Sequence, residues 1–194
     1  MEIGATKAVQ DRLKTTKIEE SKGASLVFCW DTHLTKIKGR NVLFIVNASN
    51  RYTIAMTDIE PRNWNYYAMY IIRVIHGMMQ EMGYSEDQIG QYFKMSGDTT
   101  VTKTHGRKSV GGINRMVMDA QYFGKKLEKE AKYQWELSEY LNRDICQPEG
   151  FDAYGYPSEL FKLDMERLGI ATKREPAKII DFTKYIDTNR STNH

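Results

Sequence analysis

The chain has 194 residues, of which 41% are hydrophobic, and a formal net charge of +3. This length and apolar content are enough to bury a core, and they favour one domain with an appendage or two small domains. The small net charge excludes a protein that is basic throughout, so a nucleic-acid site must come from local clustering of charge. Cys29 and Cys146 lie too far apart for a disulfide framework or a paired metal motif.

Two further exclusions concern membranes and cofactors. No apolar stretch approaches the roughly 20 residues that a membrane helix needs, and the N-terminus lacks the apolar core of a signal peptide. We therefore expect a soluble cytoplasmic protein without a membrane partner, and leave a homo-oligomer open. No complete catalytic, dinucleotide-binding or phosphate-loop motif is present, so we expect no cofactor and no metal.

The N-terminal segment holds the first of two predicted strand-to-helix junctions. Residues 2–5 form a short strand candidate, and Thr6 suits the N-cap of a short helix that follows. Thr6 and Lys7 therefore lie where backbone N–H groups and the positive helix end can bind an anion. An ordinary cap beside a surface lysine is the alternative.

The next segment predicts the core of a sheet. Residues 25–57 contain three β-rich runs separated by short turns, which predicts a three-stranded antiparallel meander. The run 42–46 is apolar throughout, as expected of a central strand covered on both faces. Trp30 stands near a strand end, and Arg40 and Arg51 flank the turns. These side chains either line a site or serve only the strand ends and turns.

Two helices are predicted after the meander. Residues 61–82 carry apolar side chains at three- and four-residue steps, which predicts one helix that lies on the sheet and ends at Gly83. Ser85 is the predicted N-cap of the second helix. The apolar stripes of both helices are typical of core packing.

The strongest site candidate is residues 99–114, which we call the basic elbow. It is predicted as a strand that ends at His105, followed by a helix with Ser109 as its N-cap. Between Asp98 and Asp119 the sequence has no acidic residue and four basic ones, namely Lys103, Arg107, Lys108 and Arg115. A concentration of positive charge at a helix start predicts an anion site.

A pair of glycines in the basic elbow requires an explanation. Gly111 and Gly112 each cost a helix roughly 1 kcal/mol relative to alanine. Either they let an anion approach the backbone, or a neighbouring element packs against them. The predicted binding residues are Thr6, Lys7, Trp30, Arg40, Arg51, Lys103, Thr104, Arg107, Lys108, Ser109, Asn114 and Arg115, and His105 is the candidate catalytic residue.

The predicted fold class is α+β. We expect an antiparallel sheet of about four or five strands with helices on one face, and one long helix that runs from Ser109 to about Leu141. Residues 143–158 read as a turn-rich aromatic link, and Ser158 as the cap of a further helix. The predicted domains are a core at 1–142 and a C-terminal aromatic and helical extension at 143–194.

A series of short motifs in order resembles an uncharacterised bacterial domain that occurs alone or fused ahead of plasmid and insertion-element ORF-like segments. The resemblance covers about residues 1–124, departs from the family pattern at Asp31 and Gly39, and implies a phage or mobile-element setting without supplying a chemistry. The motifs that carry it are Ile3 to Lys7, Val9-Gln10, Trp30, Leu34, Arg40, residues 42–47, Arg51-Tyr52, Ser96-Gly97, Thr102 to Thr104, Arg107, Ser109 and Asn114.

Three functional hypotheses follow. The first is a module that binds the phosphate backbone of RNA or single-stranded DNA, with Trp30 available for stacking. The second is a phage or mobile-element protein that binds and inhibits a single host defence protein. The third is a metal-independent nuclease with His105 as general acid or base and Lys103 and Arg107 stabilising charge.

Overall fold

A computed structural model describes residues 1–13 and 17–172 as an α+β fold around a five-stranded sheet. The strands have the order β4-β3-β2-β1-β5. They are β1 (Glu2–Ala5), β2 (Cys29–Ile37), β3 (Arg40–Asn47), β4 (Thr53–Thr57) and β5 (Thr100–Lys103). The helices are α1 (Lys7–Gln10), α2 (Pro61–Asn65), α3 (Tyr67–Glu81), α4 (Glu86–Ser96), α5 (Gly106–Gln121), α6 (Trp135–Asn142) and α7 (Pro157–Arg167).

The sheet is mixed. Strands β2, β3 and β4 form the predicted antiparallel meander, which is confirmed. The expectation of a purely antiparallel sheet was wrong, because β1 lies between β2 and β5 and is parallel to both. The chain contains helix α1 between β1 and β2, and helices α1 to α4 between β1 and β5; long connections of this kind are what parallel pairing requires.

Helices cover both faces of the sheet, so the prediction of helices on one face was wrong. Leu43 and Ile45 of β3 contact a core that includes α3, α4 and α7. Phe44 and Val46 point to the opposite face, where α5 and α6 pack. The alternation of side chains along a strand gives each layer one set, which explains why β3 is apolar along its central run.

The predicted long helices are each divided. The stretch from Pro61 forms α2 and α3, which are separated at Tyr66. Helix α5 ends at Gln121, and α6 begins only at Trp135. Backbone carbonyls between them accept hydrogen bonds from the β2–β3 turn, since Lys38 Nζ donates to the carbonyl of Lys125 (2.7 Å) and Arg40 to that of Glu128 (2.7 Å). These tertiary bonds replace the next helical turns.

The predicted caps of the later helices have different outcomes, and Ser158 does not cap α7, because it lies inside that helix and Tyr156 stands at the N-cap. Ser85 caps α4 with a capping box that includes the side chain of Gln88, as predicted. Ser109 does not cap α5, because the helix already begins at Gly106 and His105 stands at the N-cap.

The described part of the C-terminal extension packs on the main core. Phe161 and Met165 of α7 are fully buried and belong to the same cluster as Trp30. Residues 14–16 and 173–194 lie outside the described residues. The division of the chain at residue 142 remains a prediction.

Candidate functional site

The parallel part of the sheet carries polar side chains on the face that α5 covers. In the register of β1 and β2, Glu2 pairs with Cys29 and Gly4 with Asp31. Alternation along the strands directs these four residues to one face. His105 follows the end of β5 and lies against them. We call Glu2, Asp31 and His105 the ionic cluster.

The imidazole of His105 bridges the two carboxylates. Its Nδ1 lies 2.7 Å from Asp31 Oδ1, and its Nε2 lies 3.0 Å from Glu2 Oε2. The side chains of His105 and Asp31 are 5% and 0% exposed. Burial acts to lower the pKa of His105, but the hydrogen bond and charge of Asp31, together with nearby Cys29, raise it to about 10. The ring is therefore positively charged at neutral pH and donates from both nitrogens.

Asp31 connects three elements. Its carboxylate accepts the backbone N–H of His105 (3.2 and 3.3 Å to its two oxygens) and the hydroxyl of Ser109. Ser109, which had been expected to cap α5, thus binds a side chain of β2 instead. Because these contacts join β2 to the end of β5 and the first turn of α5, Asp31 fixes the position of the basic elbow on the sheet.

Gly4 provides the space for this carboxylate. A Cβ atom at Gly4 would lie 1.8 Å from Asp31 Oδ1 and 3.1 Å from His105 Nδ1. The first separation is far below any real carbon–oxygen contact and the second is tight, so the cluster requires glycine at this strand position. This agrees with the general meaning of glycine inside a strand, where another group approaches the backbone closely.

Glu2 is held by the loop that precedes β2. Ser21 Oγ donates to Glu2 Oε2 (2.6 Å), and the backbone N–H of Lys22 donates to Oε1 (2.7 Å). Burial acts to raise the pKa of Glu2, but the hydrogen bonds from Ser21 and Lys22 hold it below its ordinary value. Glu2 is therefore ionised at neutral pH.

A concave surface, which we call the basic pocket, lies between α5, the β3–β4 turn and the loop 147–149. Its volume is about 240 Å³. Three of its lining residues are cations, two from α5 and one from the β3–β4 turn, and Glu149 is the acidic residue in the lining. The lining residues are Val46, Asn47, Ala48, Arg51, Lys108, Ser109, Gly111, Gly112, Ile113, Arg115, Gln147, Pro148 and Glu149.

Arg51 packs along α5 and explains one of the two glycines. Its Nη2 donates to the carbonyl of Gly112 (2.9 Å), and a Cβ there would lie 3.2 Å from Arg51 Nε. A Cβ at Gly111 would meet nothing within 4 Å. Gly112 thus makes room for an arginine of the pocket, whereas Gly111 faces open space.

The other two cations are solvent-exposed. Lys108 Nζ makes a long hydrogen bond of 3.4 Å to the carbonyl of Pro148. Arg115 is 71% exposed and has a loose ion pair with Asp119 (3.6 Å). Both side chains can turn toward a bound anion without breaking a strong contact.

The pocket brings together only part of the predicted binding set. Arg51, Lys108, Ser109 and Arg115 line it. Its lining does not include the remaining predicted residues, which are Thr6, Lys7, Trp30, Arg40, Lys103, Thr104, Arg107 and Asn114.

Several of these remaining residues are occupied elsewhere. Trp30 is fully buried and donates from Nε1 to Tyr92 Oη (2.9 Å), so its ring cannot stack on a base. Arg40 lies at the opposite end of β3 from Arg51, and the 8 residues of this strand separate them by about 23 Å. Lys7 forms an ion pair with Asp11 (2.7 Å).

The other predicted binding residues outside the pocket lining also fail to form one site. Lys103 pairs with Glu20, and Thr104 is partly buried at the end of β5. Arg107 and Asn114 are exposed on α5. Thr6 Oγ1 lies 3.2 Å from His33 Nδ1 and does not cap α1 with its side chain.

Sequence reasoning missed Glu2, Cys29 and Asp31 as members of a cluster, and the loop 147–149 as a pocket wall. One signal was present, because a glycine in a strand, as at Gly4, indicates that a group from another element comes close. The identity of that group could not be read, since Asp31 is distant from Gly4 in sequence.

The fold and these sites define an α+β protein whose mixed sheet holds a buried ionic cluster beside a basic pocket. A family model described as "Domain of unknown function (DUF6933)" matches residues 2–160, and the chain belongs to this family. The resemblance to an uncharacterised domain is confirmed, and the match continues past residue 124 into α7. No curated protein and no solved structure matches the chain.

Within residues 1–13 and 17–172, every helix is too short or too polar to cross a bilayer.

Proposed function

We propose that the protein binds phosphate groups of RNA or single-stranded DNA through the basic pocket. The observation that carries this proposal is that Arg51, Lys108 and Arg115 line one concave surface. Lys108 and Arg115 come from the predicted basic elbow and the turn of helix after it, and Arg51 comes from a turn that is distant in sequence. Convergence of separate cations on one cavity is the arrangement expected of a phosphate site.

The hydrogen-bonding capacity of the pocket supports the same conclusion. A guanidinium has five N–H donors and an ammonium has three. Arg51 donates to the carbonyl of Gly112 and interacts with the Cys146 thiol, and the contact of Lys108 with the described residues is the long one to Pro148. Donors therefore remain on these two side chains for the oxygens of a phosphate.

Contacts to phosphate carry affinity but little sequence information. We therefore expect binding that depends weakly on base sequence and strongly on salt. A nucleic-acid-binding role agrees with a cytoplasmic location. The inhibitor hypothesis has no comparable feature in its favour. The nuclease hypothesis has less support from the geometry, because both nitrogens of His105 already bind carboxylates and its ring is 5% exposed.

The test is fluorescence anisotropy with a labelled single-stranded oligonucleotide at several salt concentrations. The double variant Lys108→Ala/Arg115→Ala is compared with Lys126→Ala/Lys129→Ala, which removes the same charge from the exposed α5–α6 loop. We expect the pocket variant to bind more weakly. Its plot of log K against log salt should become shallower by about 0.7 for each phosphate that it no longer neutralises. The loop variant should bind like the wild type.

Other results discriminate between the hypotheses. Equal weakening in both variants would mean that only the overall charge attracts the oligonucleotide, and would contradict a pocket site. Absence of binding in the wild type, with a stable complex to one host protein, would favour the inhibitor. Shortening of the oligonucleotide on a denaturing gel would favour the nuclease.

A further inference from the structure

We propose that Glu2, Cys29 and His105 form a binding site for a divalent transition-metal ion, with Zn²⁺ as the best match. Each residue offers one ligand atom, and these atoms all lie within 4.8 Å of one another. The sequence alone predicts no metal, because the three ligands come from separate segments and form no spacing motif. This proposal is independent of the nucleic-acid role and uses a different part of the molecule.

The spacing of the nitrogen and oxygen ligands suits a small ion. His105 Nε2 and Glu2 Oε2 are 3.0 Å apart. Two ligands at zinc distances in a tetrahedral site are separated by about 3.3 Å. A shift of a few tenths of an ångström would therefore convert the hydrogen bond between these atoms into joint ligation of one ion.

The residues around the ligands already orient them. Asp31 Oδ1 lies 2.7 Å from His105 Nδ1, which leaves Nε2 directed at Glu2. A carboxylate behind a histidine ligand is the usual arrangement at zinc sites, where it fixes the ring and its tautomer. Glu2 is held in turn by Ser21 and by the backbone of Lys22. Two of the three ligands are therefore held in place by neighbouring groups, while the Cys29 thiol contacts the backbone carbonyls of Ala24 and Ser25 (3.6 and 3.5 Å).

The donor set indicates the kind of metal. One thiolate, one imidazole and one carboxylate form a borderline-soft set that suits Zn²⁺, whereas Mg²⁺ and Ca²⁺ prefer oxygen ligands alone. Three protein ligands leave one position of a tetrahedral site for water. Because metal ligands bind in their deprotonated forms, the ion would bind the thiolate form of Cys29 and the neutral imidazole of His105.

The test uses Co²⁺ alone as the probe on full-length protein freed of metal by a chelator. Co²⁺ bound to a thiolate gives a charge-transfer absorption band in the near ultraviolet. Cys29→Ser is compared with Cys146→Ser, which removes the other buried thiol of the chain. Glu2→Gln removes the carboxylate ligand while keeping the side-chain shape. Circular dichroism establishes that each variant is folded.

We expect one Co²⁺ per chain, with the thiolate band present in the wild type and in Cys146→Ser and absent in Cys29→Ser. Glu2→Gln should keep the band but bind Co²⁺ about 10-fold or more weakly, the effect typical of a weakened metal site. A folded wild type without the band, a band that persists in Cys29→Ser, or one that disappears in Cys146→Ser would each overturn the proposal.

A measurement on the wild type alone covers the case in which Cys29→Ser does not fold. X-ray absorption of the Zn²⁺-loaded protein counts the sulfur atoms bound to the metal. One sulfur ligand together with nitrogen or oxygen ligands is expected. A spectrum with no sulfur ligand would overturn the proposal.

Discussion

The ionic cluster and the basic pocket lie side by side on α5, but their charged side chains differ in burial and in pairing. In the cluster, every charged side chain is at most 5% exposed and faces a partner of opposite sign. In the pocket, Lys108 and Arg115 are exposed, and their contacts with the part of the chain that the structure describes are long or loose. Ser109 belongs to both, because its hydroxyl binds Asp31 and its residue lines the pocket.

The difference shows how exposure to solvent changes the contribution of a charged side chain to stability. A buried charge without its partner is strongly destabilising, whereas an exposed ion pair contributes about 0–1 kcal/mol. The cluster should therefore determine the stability and placement of the basic elbow. The pocket should determine ligand binding and contribute little to stability. Four predictions test this contrast.

The largest effect is expected for Asp31→Ala. This change removes the partner of the buried His105 imidazolium and of the Ser109 hydroxyl. The free energy of unfolding should fall by about 3–5 kcal/mol, as for other broken buried ion pairs. Urea denaturation measures it, with the exposed Asp152→Ala as control, which should change stability by less than about 0.5 kcal/mol. Similar decreases in the two variants would refute a special role for the cluster.

The second-largest decrease in stability is expected for Gly4→Ala. Its new Cβ would overlap Asp31 Oδ1, and overpacking of this kind costs about 1–3 kcal/mol. The cost should shrink when Gly4→Ala is made in the Asp31→Ala background, because the carboxylate is then absent. Gly90→Ala in α4, where a Cβ meets nothing within 4 Å, should be neutral or stabilising. Additive effects in the double variant would argue against this contact.

The third prediction concerns the pH dependence of stability in the metal-free protein. The pKa of His105 is about 10 in the folded state against 6.5 as the ordinary value, and the titratable groups that face it are Glu2, Cys29 and Asp31. Because the folded pKa is the higher one, the contribution of His105 is fully present below pH 6.5 and disappears as pH rises towards about 10.

Thermal unfolding between these pH values measures the effect. The midpoint of the wild type should fall across the window. His105→Gln should have a lower midpoint at neutral pH and a flatter pH profile. A wild-type profile that stays flat would mean that His105 is neutral in the folded state.

The smallest effect on stability is expected in the pocket. Lys108→Ala/Arg115→Ala should change the free energy of unfolding by less than about 0.5 kcal/mol, because both side chains are exposed. The same variant should nevertheless bind the oligonucleotide more weakly. A decrease in stability comparable to that of Asp31→Ala would remove the distinction between the two regions.

Local patterns predicted much of the fold. The meander β2–β4, strand β1 and the capped helix α4 each follow from signals within a few residues, such as alternation, turns and the Ser85 cap. The division between α5 and α6 could not be predicted, because Lys38 and Arg40 bind the intervening carbonyls from a turn far away in sequence. The parallel pairing of β1 could not be predicted either, because its partners β2 and β5 are distant from it in sequence.

For the candidate site, the sequence predicted where positive charge is concentrated but not which side chains are buried. Lys108 and Arg115 do line a pocket, and Arg51, also a predicted binding residue, joins them there. Trp30 was expected to be available for stacking, yet alternation along β2 directs it into the main core. Asp31 was noted as a departure from the family pattern, but nothing local indicates that it would meet His105.

The position of β1 between β2 and β5 has a consequence for the order of assembly. Glu2 pairs with Thr100, so one side of β1 lacks a partner until the ribosome has reached β5. During that interval its free N–H and C=O groups form an open edge, which is a template for pairing with other chains. A chain that stops before β5 should therefore aggregate, and a chaperone that shields the nascent edge should raise the yield of the complete protein.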